Sequence, residues 1–127
     1  MVSYDATTDE ITVTVRPVYL DGQSDLLQKK FAFAYFIEIT NHGEGEVQLL
    51  RRHWRIVDGN GHVKEVEGAG VVGKQPVIPP GGSHTYNSFC ELTTFEGTME
   101  GTYLMQRENG DRFRAQIPRF HLRAMAN

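Results

Sequence analysis

Between Phe31 and Ile39 the chain reads FAFAYFIEI, so Phe31, Phe33, Tyr35, Ile37 and Ile39 recur at every second position, with Ala32, Ala34 and Phe36 between them. A period of two puts all of these large side chains on one side of a pleated strand, whereas helical geometry would scatter them around the circumference. Aromatic and β-branched residues suit a half-buried pleated surface. An isolated strand leaves its backbone donors and acceptors unpaired, so this segment commits the chain to a sheet.

The remaining segments follow suit. Ile11, Val13 and Val15 alternate with Thr12, Thr14 and Arg16, and Pro17, which cannot donate to a ladder, predicts that this strand ends there or lies on an edge. Asp21 to Lys30 is polar and reads as a loop, with Leu26 and Leu27 able to open the next strand early. Val47 to Val57 is a further strand, with Leu50, Arg52, Trp54 and Ile56 on one face and Arg51, His53 and Arg55 on the other. Asp58-Gly59-Asn60-Gly61 and Glu108-Asn109-Gly110-Asp111 are hairpin turns, because Asn and Gly tolerate positive φ. Val63 to Val66, His84 to Leu92, Met99 to Arg107 and Arg112 to Ile117 complete the strand-like runs, and Gly68 to Gly82 reads as a long loop. About seven strands joined by short turns, with no helical pattern, predict an all-β immunoglobulin-like or fibronectin type III-like sandwich. Trp54 is the large residue expected to plug its core.

Composition sets limits on function. The 127 residues are expected to form one domain spanning 1–127, long enough to fold without disulfides or metal. With 39% hydrophobic and 23% charged residues the chain is not of the disordered class. Its 13 basic against 16 acidic residues, net −3, disfavour the cationic cluster that nucleic-acid binding requires. No apolar run approaches a bilayer span, and MVSYDATTDE lacks the apolar core of a signal peptide, so no membrane partner is expected. A single cysteine, Cys90, fits a reducing compartment, and the predicted location is cytoplasmic.

Gly68-Ala69-Gly70-Val71-Val72-Gly73 matches GxGxxG, and with Lys74 it also matches GxxxxGK. Both nucleotide motifs work by opening a helix whose terminal N–H groups face phosphate. Pro76, Pro79 and Pro80 follow almost at once, then Gly81 and Gly82, and each proline inside a helix costs about 3 kcal/mol. Gln75 stands where a P-loop places its Mg²⁺-binding hydroxyl, and Glu91 has the spacing of a ribose-binding acid on the wrong kind of element. Two readings survive: glycines that let a β-connection turn tightly, and an anion loop of Gly68, Gly70, Gly73 and Lys74 whose amides cradle phosphate.

Other candidate chemistry is sparse. Arg51, His53 and Arg55 form a cationic stripe that either is a solvated sheet face or holds an anion. His42, His53, His62, His84 and His121 show no zinc-like spacing, so no metal site is expected. No Ser lies in GxSxG, and Cys90, in alternation with Ser88 and Tyr86, reads as a small buried side chain. The pattern points away from an enzyme and calls for no cofactor.

Three runs, RHWRIVDGNG, EVEGAGVVGKQPVIPPGG and TYNSFCELTTFEGTMEGTYLM, carry a family resemblance, supported by VTVRPVYL, FAFAYFIEITN and ENGDRFRAQIPRF. Over nearly the whole chain the sequence resembles the ApaG family, with Gly68 to Gly81 as the most specific stretch. The resemblance implies a fibronectin type III-like sandwich and a binding module without known catalysis. It also implies a link to cobalt resistance and magnesium transport. The likeness further carries the suggestion that Gly68, Gly70 and Gly73 bind pyrophosphate or a nucleotide. Where the family pattern usually reads SGxxL and TPxGxM, this chain has Ser88-Phe89 and Thr94-Phe95-Glu96-Gly97, a departure that alters the loop beside Cys90. The expectation is therefore a non-enzymatic module that binds a protein partner, with Phe89 and Phe95 as anchors if exposed. The alternative is a pyrophosphate or nucleotide site at the glycine loop, with Lys74 and the Arg51/Arg55 stripe as its cations.

Overall fold

The structure, a computed structural model, describes residues 2–125. Two antiparallel sheets face each other. The first has the order β1 (Tyr4–Thr8), β2 (Ile11–Tyr19), β3 (Phe31–Asn41) and β7 (Ser83–Leu92). The second runs β5 (Val63–Ala69), β4 (Val47–Asp58), β8 (Glu96–Arg107) and β9 (Arg112–Arg123), with β6 (Val77–Ile78) also paired to β4. A 3₁₀ turn at Asp21–Gln23 is the only helical element among the described residues. The all-β sandwich is as the alternation requires, with nine strands where about seven are legible from sequence.

The two additional strands are β1, a polar YDATT segment held by pairing with β2, and the two-residue β6, which fastens the Gly/Pro stretch to Val47 and Gln48. Pro17 does not end β2. It pairs with Tyr35 beyond the reach of β1, where β2 has a neighbour on one side only. Leu26 and Leu27 do not open β3; both are exposed in the turn closed by the Asp25–Lys30 bridge.

The inner faces supply the core. Ile11, Val13 and Val15 of β2 and Phe33, Tyr35, Ile37 and Ile39 of β3 meet Tyr103 and Met105 of β8 and Ala115, Ile117, Phe120 and Leu122 of β9. Trp54 sits 4% exposed at the centre, its ring edge-on to Tyr35 at 5.4 Å and to Phe120 at 6.0 Å between centroids.

Two irregularities re-aim side chains. Leu50 is the extra residue of a bulge in β4, so Val47 and Leu49 face the core before it while Trp54 faces the core after it. A second bulge, opposite Glu100, takes up Pro118 and Arg119 and lets β9 continue to Arg123 with Ile117 and Phe120 both buried.

Candidate functional site

The two sides of the sandwich differ. On one side β9 closes against β1 and β2, with the Tyr4 ring tilted against those of Phe120 and His121 and the Gln116 amide donating to Thr8 Oγ1. On the other side the edge strands β5 and β7 stand apart, and between them opens a groove of ≈ 710 Å³. Strand alternation decides what faces into it. Half-buried Tyr86, Ser88 and Cys90 come from β7, Arg52, Trp54 and Ile56 from β4, and Lys64 and Val66 from β5.

The glycine stretch closes one end of this groove as a hairpin. Val71 and Lys74 exchange both backbone hydrogen bonds, 2.8 and 3.0 Å, around Val72 and Gly73. Both of these tip residues have positive φ, +48° and +75°, the pattern of a two-residue type I′ turn. The Gly70 amide donates to Leu50 O, which also accepts from Gln75 Nε2, so the bulge in β4 receives the hairpin. Gly70 is required by contact as well as conformation: at φ +64° a Cβ there would lie 2.1 Å from Lys74 O. Among the described residues no helix follows Lys74; the chain continues into β6.

The loop is built around a cation. Arg52 Nη1 donates to Ala69 O at 3.1 Å and Gly70 O at 3.0 Å, and the guanidinium lies against the Cα of Gly68, where any Cβ would meet it at 2.9 Å. Of the expected anion loop, Gly68 belongs to β5 beside Arg52 and the Gly70 and Lys74 amides are spent on backbone carbonyls. Among the described residues the tip amides of Val72 and Gly73 make no main-chain hydrogen bond. Lys74 reaches toward β7, where burial and then the Lys74 charge hold His84 below the ordinary histidine range.

Arg52 also borders a hydroxyl cluster. The Tyr35 hydroxyl bonds to Ser88, and the Tyr86 hydroxyl bonds to that of the fully buried Tyr103. Burial pushes all three tyrosines above their ordinary pKa, and the positive charge of Arg52 works against that rise at each of them. Among the described residues no carboxylate lies within ion-pair distance of Arg52. Cys90 sits farther along the groove, its thiol pushed up to about 11 by burial.

The outer stripe is a mixed-charge face. His53 lies 3.3 Å from Glu65, and Arg55 lies 3.4 Å from Glu100. Phe89 and Phe95 are exposed, 64% and 52%; Phe89 stands on the rim of the groove, while Phe95 packs edge-on to Phe31 at the end of the sandwich. Among the described residues no group of three or more His, Cys, Asp or Glu side chains converges, and no helix is long and apolar enough to cross a membrane.

Sequence reasoning left Arg52 out of the candidate residues. The signal was its parity: an arginine on the face of a strand that carries a core tryptophan has its charge directed inward.

Comparison with known proteins agrees with this architecture. The ApaG domain family matches residues 21–107. Protein ApaG of Methylobacterium sp. (strain 4-46) is 54% identical over 119 residues, covering 94% of this chain and 92% of that protein. Protein ApaG of Brucella abortus (strain S19) is 49% identical with the same coverage. A crystal structure from Bordetella pertussis, described as an ApaA protein, aligns with a TM-score of 0.87 at 47% identity, covering 89% of this chain and 92% of that one. Matched by the family over most of its length and by relatives of the same name at about half identity, the chain belongs to the ApaG family.

Proposed function

We propose that this chain is a non-enzymatic binding module that docks an extended segment of a partner protein on the open side of its sandwich, along β7. The observation that carries this reading is the asymmetry of the two sides: β1 and β9 cover one another, whereas β5 and β7 leave a groove between two unpaired edges. An unpaired edge offers a row of backbone donors and acceptors to an added strand, and pockets beside it select side chains. The two edges are not equivalent. β5 carries Lys64, Glu65 and Glu67, the charges that discourage pairing, while Ser83–Leu92 has neither Lys nor Pro and only Glu91 as a charge near its end. Exposed Phe89 on the rim supplies an aromatic anchor.

The groove chemistry supports binding over catalysis. With its pKa near 11 the Cys90 thiol is protonated at neutral pH, and the protonated thiol is a poor nucleophile. We place this activity in the cytoplasm, on the strength of the single cysteine. The family link to cobalt resistance and magnesium transport is, on this reading, exerted through the bound partner.

Site-specific photo-crosslinking in the native host tests the proposal. A crosslinker replacing Phe89 is expected to capture a discrete protein, one replacing Arg114 on the outer face of β9 is not, and Thr85→Lys on the β7 edge should abolish the adduct. Equal capture from both sites, or none from Phe89, would count against it.

A second reading rests on the turn tip, where the Val72 and Gly73 amides and the Lys74 ammonium could together hold pyrophosphate or a nucleotide phosphate. It requires amide shifts confined to Gly68–Gln75 on titration with pyrophosphate or ATP, weakened by Lys74→Ala.

A further inference from the structure

The groove holds a specific charge. We infer that the segment accepted along β7 carries an acidic side chain, Asp or Glu, whose carboxylate pairs with Arg52; this rests on the docking reading above. Three features converge on it. Arg52 faces inward from β4 beside Trp54, half-buried, with one guanidinium nitrogen fixed by the Ala69 and Gly70 carbonyls. Those two bonds set the orientation of the planar group in advance and leave its charge without a carboxylate among the described residues. A pre-oriented guanidinium suits a carboxylate, since less side-chain freedom is lost when the pair forms.

Register places the acid. A strand added alongside β7 directs every second side chain into the groove. The one level with Tyr86 and Ser88 arrives where Arg52 sits, because Ser88 pairs in register with Tyr35 and the Arg52 charge is felt at both Tyr35 and Tyr86. The Ser88 hydroxyl lies at the same level. On one side of the acid the next inward position meets Val66 and then Ile56, and on the other it meets Val72 of the hairpin, so the accepted sequence alternates apolar, acidic, apolar on its inward face. A free phosphate satisfies the charge but not the alternation.

The test is to pan a displayed library of linear peptides against the full chain, against Arg52→Gln and against Ser88→Asp, then measure affinities of synthetic versions by fluorescence anisotropy. Ser88→Asp keeps Arg52 and its carbonyl bonds while placing a carboxylate in the groove in cis, so it remains informative if Arg52→Gln loosens the hairpin. The native chain should enrich peptides with Asp or Glu at one fixed position. Changing that acid to its amide should weaken binding at least about tenfold in the native chain and little in either variant. Titration of the winning peptide should move the backbone amides of Ser83–Leu92. Enriched peptides with no acidic position, or an acid whose removal costs the same in Ser88→Asp, would overturn this inference and leave the docking module standing. Failure to enrich any peptide would remove both. Inorganic pyrophosphate shifting Arg52 in a chain that selects no peptide would assign the groove to a small anion instead.

Discussion

Trp54 and Arg52 are two residues apart on one strand, face the same way, and do opposite things. The indole fills the centre of the core against Tyr35 and Phe120. Trp54→Ala should therefore cost about 3–5 kcal/mol by chemical denaturation, the sum of lost burial and an unfilled cavity; a cost under about 1 kcal/mol would mean the site collapses around the gap. Asn41 is the polar counterpart. It is fully buried, and its side chain donates to Gly45 O and Ile78 O and accepts from the Gly43 amide. Removing it strands several buried groups at once, so Asn41→Ala should lower stability by about 2 kcal/mol or more in the same measurement. Trp54 was legible from its position in a hydrophobic alternation. Asn41 carries no such signal, because a pattern of apolar spacing says nothing about which polar residue a turn will fold over.

At the scale of elements, alternation found the strands and missed what interrupts them. Strict parity put Leu50 on the Trp54 face, and the β4 bulge instead buries Leu49 and turns the Leu50 carbonyl toward the glycine hairpin. The last strand-like run legible in the sequence ends at Ile117, yet Pro118 is absorbed by a bulge and the strand continues to Arg123. A bulge adds a residue without a composition of its own, so period-two reasoning has no signal for it. The glycine motif shows the same limit. Its prolines excluded a helix, as the structure bears out, but the hairpin it forms depends on Arg52 and on the Leu50 bulge, both remote in sequence. That hairpin stores strain: Val72, β-branched and 65% exposed, is held at φ +48°, where Asn or Gly is far better suited. Val72→Asn should stabilise the protein by about 1 kcal/mol, read as a higher denaturation midpoint. Val72 lines the groove, so the same substitution should weaken ligand binding; a variant that gains stability with affinity unchanged would make Val72 a bystander.

Across the whole molecule the open and closed sides should come apart in different conditions. The groups with raised pKa collect on the open side: Cys90 and Tyr86 on β7, Tyr35 on the neighbouring strand, and Tyr103 bonded to Tyr86. For each of them burial favours the protonated form, so the folded state binds protons more tightly than the unfolded chain. Their contribution is complete below the unfolded values and is lost as pH rises through the folded ones. For Cys90 that window runs from 9.0 to about 11, and the tyrosines extend it upward. Urea midpoints should hold steady at neutral pH and decline above about pH 9, with Cys90→Ala flattening the first part of the decline. The loss should also be local. Hydrogen exchange in the alkaline range, corrected for its intrinsic acceleration, should show β5 and β7 losing protection while β1, β2 and β9, packed on one another on the far side, retain theirs. Simultaneous loss in all strands would mean that the groove is not a separable unit, and a sandwich that cannot yield at one edge would have difficulty admitting a strand there.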